Sequence, residues 1–131
     1  MAERLRVLIV EDNVLDAELL LRELKRNGYA PVSARVETLE DMCAALAAET
    51  WDLVITDNSM PRCSASMVLE QMRSTEPTLP VIIVSGGYSR DMAQALIDAG
   101  AQDVLPKGDS SALLDALRRA LAVRGQGQAV P

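Results

Sequence analysis

Three short runs of almost purely apolar, branched residues constrain this chain more than anything else in it: Leu5-Arg6-Val7-Leu8-Ile9-Val10, Leu53-Val54-Ile55-Thr56 and Val81-Ile82-Ile83-Val84. A strand with one wet face alternates apolar with polar residues, and a strand covered on both faces does not. These runs therefore read as buried strands of a parallel sheet clad in helices. Val32-Ser33-Ala34-Arg35-Val36 does alternate, which suits a half-exposed edge strand. Asp103-Val104-Leu105-Pro106 is short and fits the other edge, where a proline is tolerated.

Helical spacing fills the gaps. Asn13 with Asp16 opens a helix that carries Leu20, Leu21 and Leu24 on one face and closes at Gly28. Thr38 with Asp41 opens a second, running to about Glu49, and a third runs from about Ala65 to Ser74. A fourth runs from about Arg90 to Ala99 and stops at Gly100; the last begins at Asp109 or Ser110 and turns Leu113, Leu114, Leu117 and Leu121 inward. Strands alternating with helices in this way predict an α/β fold, a doubly wound five-stranded parallel sheet with right-handed crossovers. The edge assignments give the order 2-1-3-4-5, the flavodoxin-like (βα)5 arrangement. Residues 1–124 read as one domain, and the Gly/Gln-rich stretch 125–131 reads as a flexible tail.

Charge and cysteine usage remove several functional classes. A formal net charge of -6 with no Lys/Arg-rich run argues against direct nucleic-acid contact and against an anionic membrane surface. No apolar stretch approaches the ~20 residues needed to span a bilayer, so a cytoplasmic location is expected. The chain has no His, and Cys43 and Cys63 stand apart, which leaves no zinc-binding pattern and no imidazole-based acid–base scheme.

In such folds ligands bind beyond the carboxyl ends of the strands, where the strand order reverses. The first strand ends in Glu11-Asp12, the third in Asp57, the fourth in Ser85, and the fifth runs out to Lys107. Taken singly, each has an ordinary explanation: a strand-ending Asp caps or turns, Ser85 before Gly86-Gly87 is turn chemistry, and a lysine is usually a solvated charge. Their joint placement at one sheet edge does not. Three carboxylates brought together raise one another's pKa unless a cation intervenes. Oxygen-only ligation favours Mg²⁺, which uses one or two carboxylates and phosphate oxygens. A lysine and a hydroxyl opposite suit the remaining oxygens of a phosphoryl group. Asp57, in the middle strand, is the best placed nucleophile for an aspartyl phosphate.

Over residues 5 to 122 the chain resembles the receiver domain of response regulators. The matching pieces are Val7-Leu8-Ile9-Val10-Glu11-Asp12, Asp57-Asn58-Ser59-Met60-Pro61, Val84-Ser85-Gly86, and Ala99 to Lys107 with Asp103-Val104-Leu105-Pro106 inside it. The resemblance implies that Glu11, Asp12 and Asp57 hold Mg²⁺ with the Ser59 backbone carbonyl as a further ligand. It also implies that Asp57 takes phosphate from a phosphohistidine and that Ser85 and Lys107 bind the phosphoryl oxygens. The implied partners are a sensor histidine kinase or a phosphotransfer protein, with a homodimer through the last two strands and helices as a further one. No turnover enzyme is implied beyond self-phosphorylation and slow dephosphorylation. Two positions depart from the pattern: Val104, where receivers usually carry Tyr or Phe, and Gly108, where they usually carry Pro, often after a cis peptide bond. Lys107-Gly108-Asp109 with Val84-Ser85-Gly86 looks most like receivers attached to sensory or histidine kinase proteins. Without the aromatic, activation is expected to move the Gly86-Gly87 loop and to leave the face near Val104 little changed.

Other functions fit less well. A flavin module would need a phosphate loop where Glu11-Asp12 repels phosphate, and the chain has one Trp, two Tyr and no Phe to sandwich a ring. An Asp-nucleophile phosphohydrolase would need a second carboxylate at Ser59. A receiver-like interaction module that works without phosphorylation is the alternative that keeps the fold.

Overall fold

The computed structural model describes residues 2–58, 60 and 62–129, with side chains described through residue 122. The elements run β1 (Glu3–Val10), α1 (Val14–Arg26), β2 (Tyr29–Val36), α2 (Leu39–Ala48), β3 (Leu53–Asp57), α3 (Ala65–Thr75), β4 (Val81–Ser85), α4 (Arg90–Asp98), β5 (Asp103–Pro106) and α5 (Ser110–Ala129). All strand pairs are parallel, and the order is β2-β1-β3-β4-β5. The expected architecture and order are those observed.

The unbroken apolar runs have the reason anticipated. Along β1, Leu8 and Val10 enter one core, with Val54, Val81, Ile83 and Val104, while Leu5, Val7 and Ile9 enter the other, with Ile55, Ile82 and Leu105. The first core is closed by Met42 of α2 and by Val68, Leu69 and Met72 of α3, and the second by Leu24 of α1 and by Leu113, Ala116 and Leu117 of α5. Burying each such leucine or isoleucine stabilises the fold by about 1.5–3 kcal/mol.

The helix starts follow their caps. Asn13, Thr38, Ser64 and Ser89 each accept the N–H of the residue three positions on, satisfying a donor that the helix leaves unpaired. The strands differ from expectation at their beginnings. β1 starts at Glu3 and β2 at Tyr29, paired in register from Glu3↔Tyr29 to Val10↔Val36. Their first residues are polar or interrupted by Pro31 and are held by the backbone ladder, which side-chain alternation does not report. Pro31 is accommodated because β2 is an edge strand. The α5 backbone continues to Ala129, past the boundary expected at residue 124.

Candidate functional site

The site is assembled where β1, β3, β4 and β5 end. Glu11 follows β1, and its backbone is fixed on both sides: its N–H donates to the Val36 carbonyl at 2.9 Å, and Arg35 Nη1 donates to its carbonyl at 3.1 Å. Asp57 is the last residue of β3, and Asn58 N–H donates to the Val84 carbonyl at 3.2 Å, tying that strand end to β4. Ser85 ends β4, and its carbonyl accepts the Lys107 N–H at 2.9 Å, which brings the β5 exit alongside.

One carboxylate oxygen each from Glu11, Asp12 and Asp57 lies within 4.8 Å of the others. Glu11 and Asp57 are buried and Asp12 is exposed. Lys107 Nζ stands among them as the countercharge, 3.0 Å from Glu11 Oε1, 3.3 Å from Asp57 Oδ2 and 2.7 Å from Asp16 Oδ2. Burial pushes the Glu11 carboxyl up to about 7, and the neighbouring Asp57 adds to the rise while Lys107 opposes it. Burial works to lower the Lys107 ammonium, but its bonds to Asp16 and Glu11 and the charge of Asp57 outweigh that and raise it. A hard divalent cation fits this all-oxygen cluster, because its charge would offset the burial that leaves Glu11 so weakly acidic and the added repulsion from Asp57.

Of the residues singled out in the sequence, Glu11, Asp12, Asp57 and Lys107 are brought together. Ser59 lies outside the described residues. Ser85 is buried beside them, and its hydroxyl donates to the Gly87 carbonyl at 2.8 Å while accepting the Gly87 N–H at 3.3 Å. The hydroxyl is thus tied to the β4–α4 loop. Asp16 was visible in the sequence only as a cap partner of Asn13; the structure adds its side chain to the site. Its position in the first turn of the helix that follows Glu11-Asp12 was the signal available. Arg35 gave none, since its role depends on the pairing of β2 with β1.

A family model described as the response regulator receiver domain matches residues 7–118. This chain belongs to that family. Response regulator MprA of Mycolicibacterium vanbaalenii is 38% identical over 122 residues, covering 91% of this chain and 51% of that protein. The chain thus spans about half the length of the curated relatives it matches. Among solved structures, the signal receiver domain of a LuxO-type repressor protein from Vibrio parahaemolyticus aligns with a TM-score of 0.84 and 30% identity, over 97% of each chain. The signal receiver domain of a signal transduction histidine kinase from Syntrophus aciditrophicus aligns at 0.75 and 25%, over 90% of each.

Within this receiver domain the two departures take a definite form. No cis peptide bond occurs among the described residues, and Gly108 adopts φ +85°, a left-handed conformation that glycine takes without strain. Val104 is buried, and Tyr88 from the β4–α4 loop packs against its core, with its hydroxyl donating to the Val104 carbonyl at 3.4 Å. An aromatic ring does reach this region, from the loop and not from β5.

Proposed function

We propose that this receiver domain accepts a phosphoryl group on Asp57 from the phosphohistidine of a sensor histidine kinase or phosphotransfer protein. The observation that carries the reading is the buried Asp57 carboxylate, grouped with Glu11 and Asp12 on one side and 3.3 Å from Lys107 Nζ on the other. In the transfer an Asp57 oxygen bonds to phosphorus as the phosphorus–nitrogen bond breaks, and the imidazole nitrogen keeps the electron pair and takes up a proton. Glu11, Asp12 and Asp57 would hold Mg²⁺, with the Ser59 carbonyl as a further ligand. Bound there, the ion supplies charge neutralisation to the phosphoryl oxygens. Lys107 pairs with one of those oxygens, and Ser85 exchanges its bonds with Gly87 for another.

The domain's own contribution is positioning and charge, and we read it as a signalling module that turns over no separate substrate. We assign the receiver unit to residues 1–124, in the cytoplasm, where a sensor kinase presents its phosphohistidine. Among the described residues no helix is long and apolar enough to cross a membrane. A second copy of the chain, joined through the last two strands and helices (β4, α4, β5 and α5), is a further proposed partner; Ile97 of α4 is exposed.

Incubation with acetyl phosphate and Mg²⁺ followed by intact-mass measurement tests the reading. One phosphoryl mass should appear, and it should be lost in Asp57→Asn and on chelation of the metal. An unchanged yield in Asp57→Asn would overturn the assignment, and no yield in the wild type would favour the interaction module that works without phosphorylation.

A further inference from the structure

Lys107 is held by three carboxylates, one just beyond β1, one in α1 and one at the end of β3, and the shortest of the three bonds, 2.7 Å, goes to Asp16 in the first turn of α1. An ammonium has three protons, so Glu11, Asp16 and Asp57 already saturate it. Phosphorylation takes the charge off the Asp57 carboxylate and so frees one of these protons for a phosphoryl oxygen, and Lys107 can move fully onto the phosphoryl group only if a second partner also gives way. Glu11 and Asp57 are buried, their side chains 5% and 6% exposed, and both belong to the carboxylate cluster. Asp16 lies outside that cluster and its side chain is 34% exposed, so water can replace the lysine at small cost. A cavity of about 260 Å³ is lined by Asp16, Asp57 and Lys107 together, which leaves the ammonium space to move from one carboxylate to the other.

We propose that Asp16 is a positioning residue: it holds Lys107 while Asp57 is unmodified and surrenders it to the phosphoryl group. The inference rests on the reading of Asp57 as phosphoacceptor. It makes α1 a reporter of phosphorylation, because the loss of Lys107 leaves an uncompensated carboxylate beside the exposed Val14 and Leu15. The purely structural account is that an acidic residue in the first turn favours the helix dipole. That account predicts a less stable α1 in Asp16→Asn and no change in phosphoryl binding.

The test titrates the full chain with beryllofluoride at saturating Mg²⁺, following the bound fluorine signals by nuclear magnetic resonance. Asp16→Asn should bind the mimic about two- to fivefold more tightly than wild type, the range of a half-exposed ion pair, and Asp16→Glu should stay near wild type. In a Lys107→Met background Asp16→Asn should have no effect. A second readout needs no variant: the carbon-13 carboxyl resonance of Asp16 should move when the wild type is loaded. Unchanged or weaker binding in Asp16→Asn, a gain that persists without Lys107, or a static Asp16 resonance overturns the proposal. Wild type that binds no mimic overturns the phosphoacceptor reading and this inference with it, whereas normal wild-type binding with a flat Asp16→Asn response overturns this inference alone.

Discussion

The hydroxyl of Tyr88 donates to the backbone carbonyl of Val104, 16 positions on, and so ties the loop after Ser85 to the middle of β5. Ser85 is bonded twice to Gly87, one residue before that tyrosine. On the proposed reading, in which Ser85 leaves Gly87 for a phosphoryl oxygen, the displacement should pass to Tyr88 and reach the face near Val104, where the sequence alone led to the expectation of little change. Loading with beryllofluoride and Mg²⁺ should shift the Val104 amide resonance. The shift should shrink in Tyr88→Ala and survive largely in Tyr88→Phe, since the bond is long and the ring supplies most of the contact. A full Val104 shift in Tyr88→Ala would show that β5 responds through another route.

Magnesium affinity should depend on pH through Glu11, whose carboxyl is raised to about 7 chiefly by burial. The groups facing it are Asp57, which raises it further, and Lys107, which lowers it; Arg35 holds its backbone carbonyl. Mg²⁺ must displace the proton, so affinity should fall roughly tenfold per pH unit below 7 and level off above about 8. In the metal-free domain the folded pKa lies above the ordinary 4.5, so the folded state holds the proton more tightly than the unfolded one. Stability should then fall as pH rises from about 4.5 to about 7, by up to about 3 kcal/mol, and added Mg²⁺ should restore it. Glu11→Gln should flatten both profiles in calorimetric titration and thermal melts.

Trp51 should report the site poorly. It is buried, its indole N–H donates to the Ala45 carbonyl at 2.9 Å, and it precedes the first residue of β3 while Asp57 is the last. Six residues at ~3.3 Å each separate the two by roughly 20 Å along the strand. Emission should change by only a few per cent on Mg²⁺ addition, roughly the effect of a charge beyond a Debye length. A large saturable quench would place the metal elsewhere.

The strands were legible because a strand buried on both faces leaves an unbroken apolar run, as Val81 to Val84 does, and the strand order placed Glu11, Asp12, Asp57 and Lys107 at one edge. The starts of β1 and β2 were not, since Glu3 and Tyr29 are recruited by backbone pairing whatever their side chains. Asp16, Arg35 and Tyr88 were missed for a related reason. Their partners lie 91, 24 and 16 positions away, and such contacts depend on helix placement and strand register, which local spacing does not encode.

Gly108 gives the last prediction. It follows the lysine that serves the site, at φ +85°, and a Cβ added there meets nothing within 4 Å, so any cost of substitution comes from the backbone and not from crowding. Gly108→Ala should therefore lower stability by about 1–2 kcal/mol, the ordinary penalty of the left-handed region for a residue with a Cβ. Gly108→Pro restores the residue more usual in receivers, yet it should cost more, because proline fixes φ near about −65° and the turn that aims Lys107 would have to be rebuilt. Gly87→Ala is the control: its φ is not positive and its surroundings are open, so it should stay within about 0.5 kcal/mol of wild type. Urea denaturation of the three variants measures the order. A Gly108→Pro domain as stable as wild type would show that the β5–α5 turn adopts a second conformation at no cost, with Lys107 held by something other than this backbone.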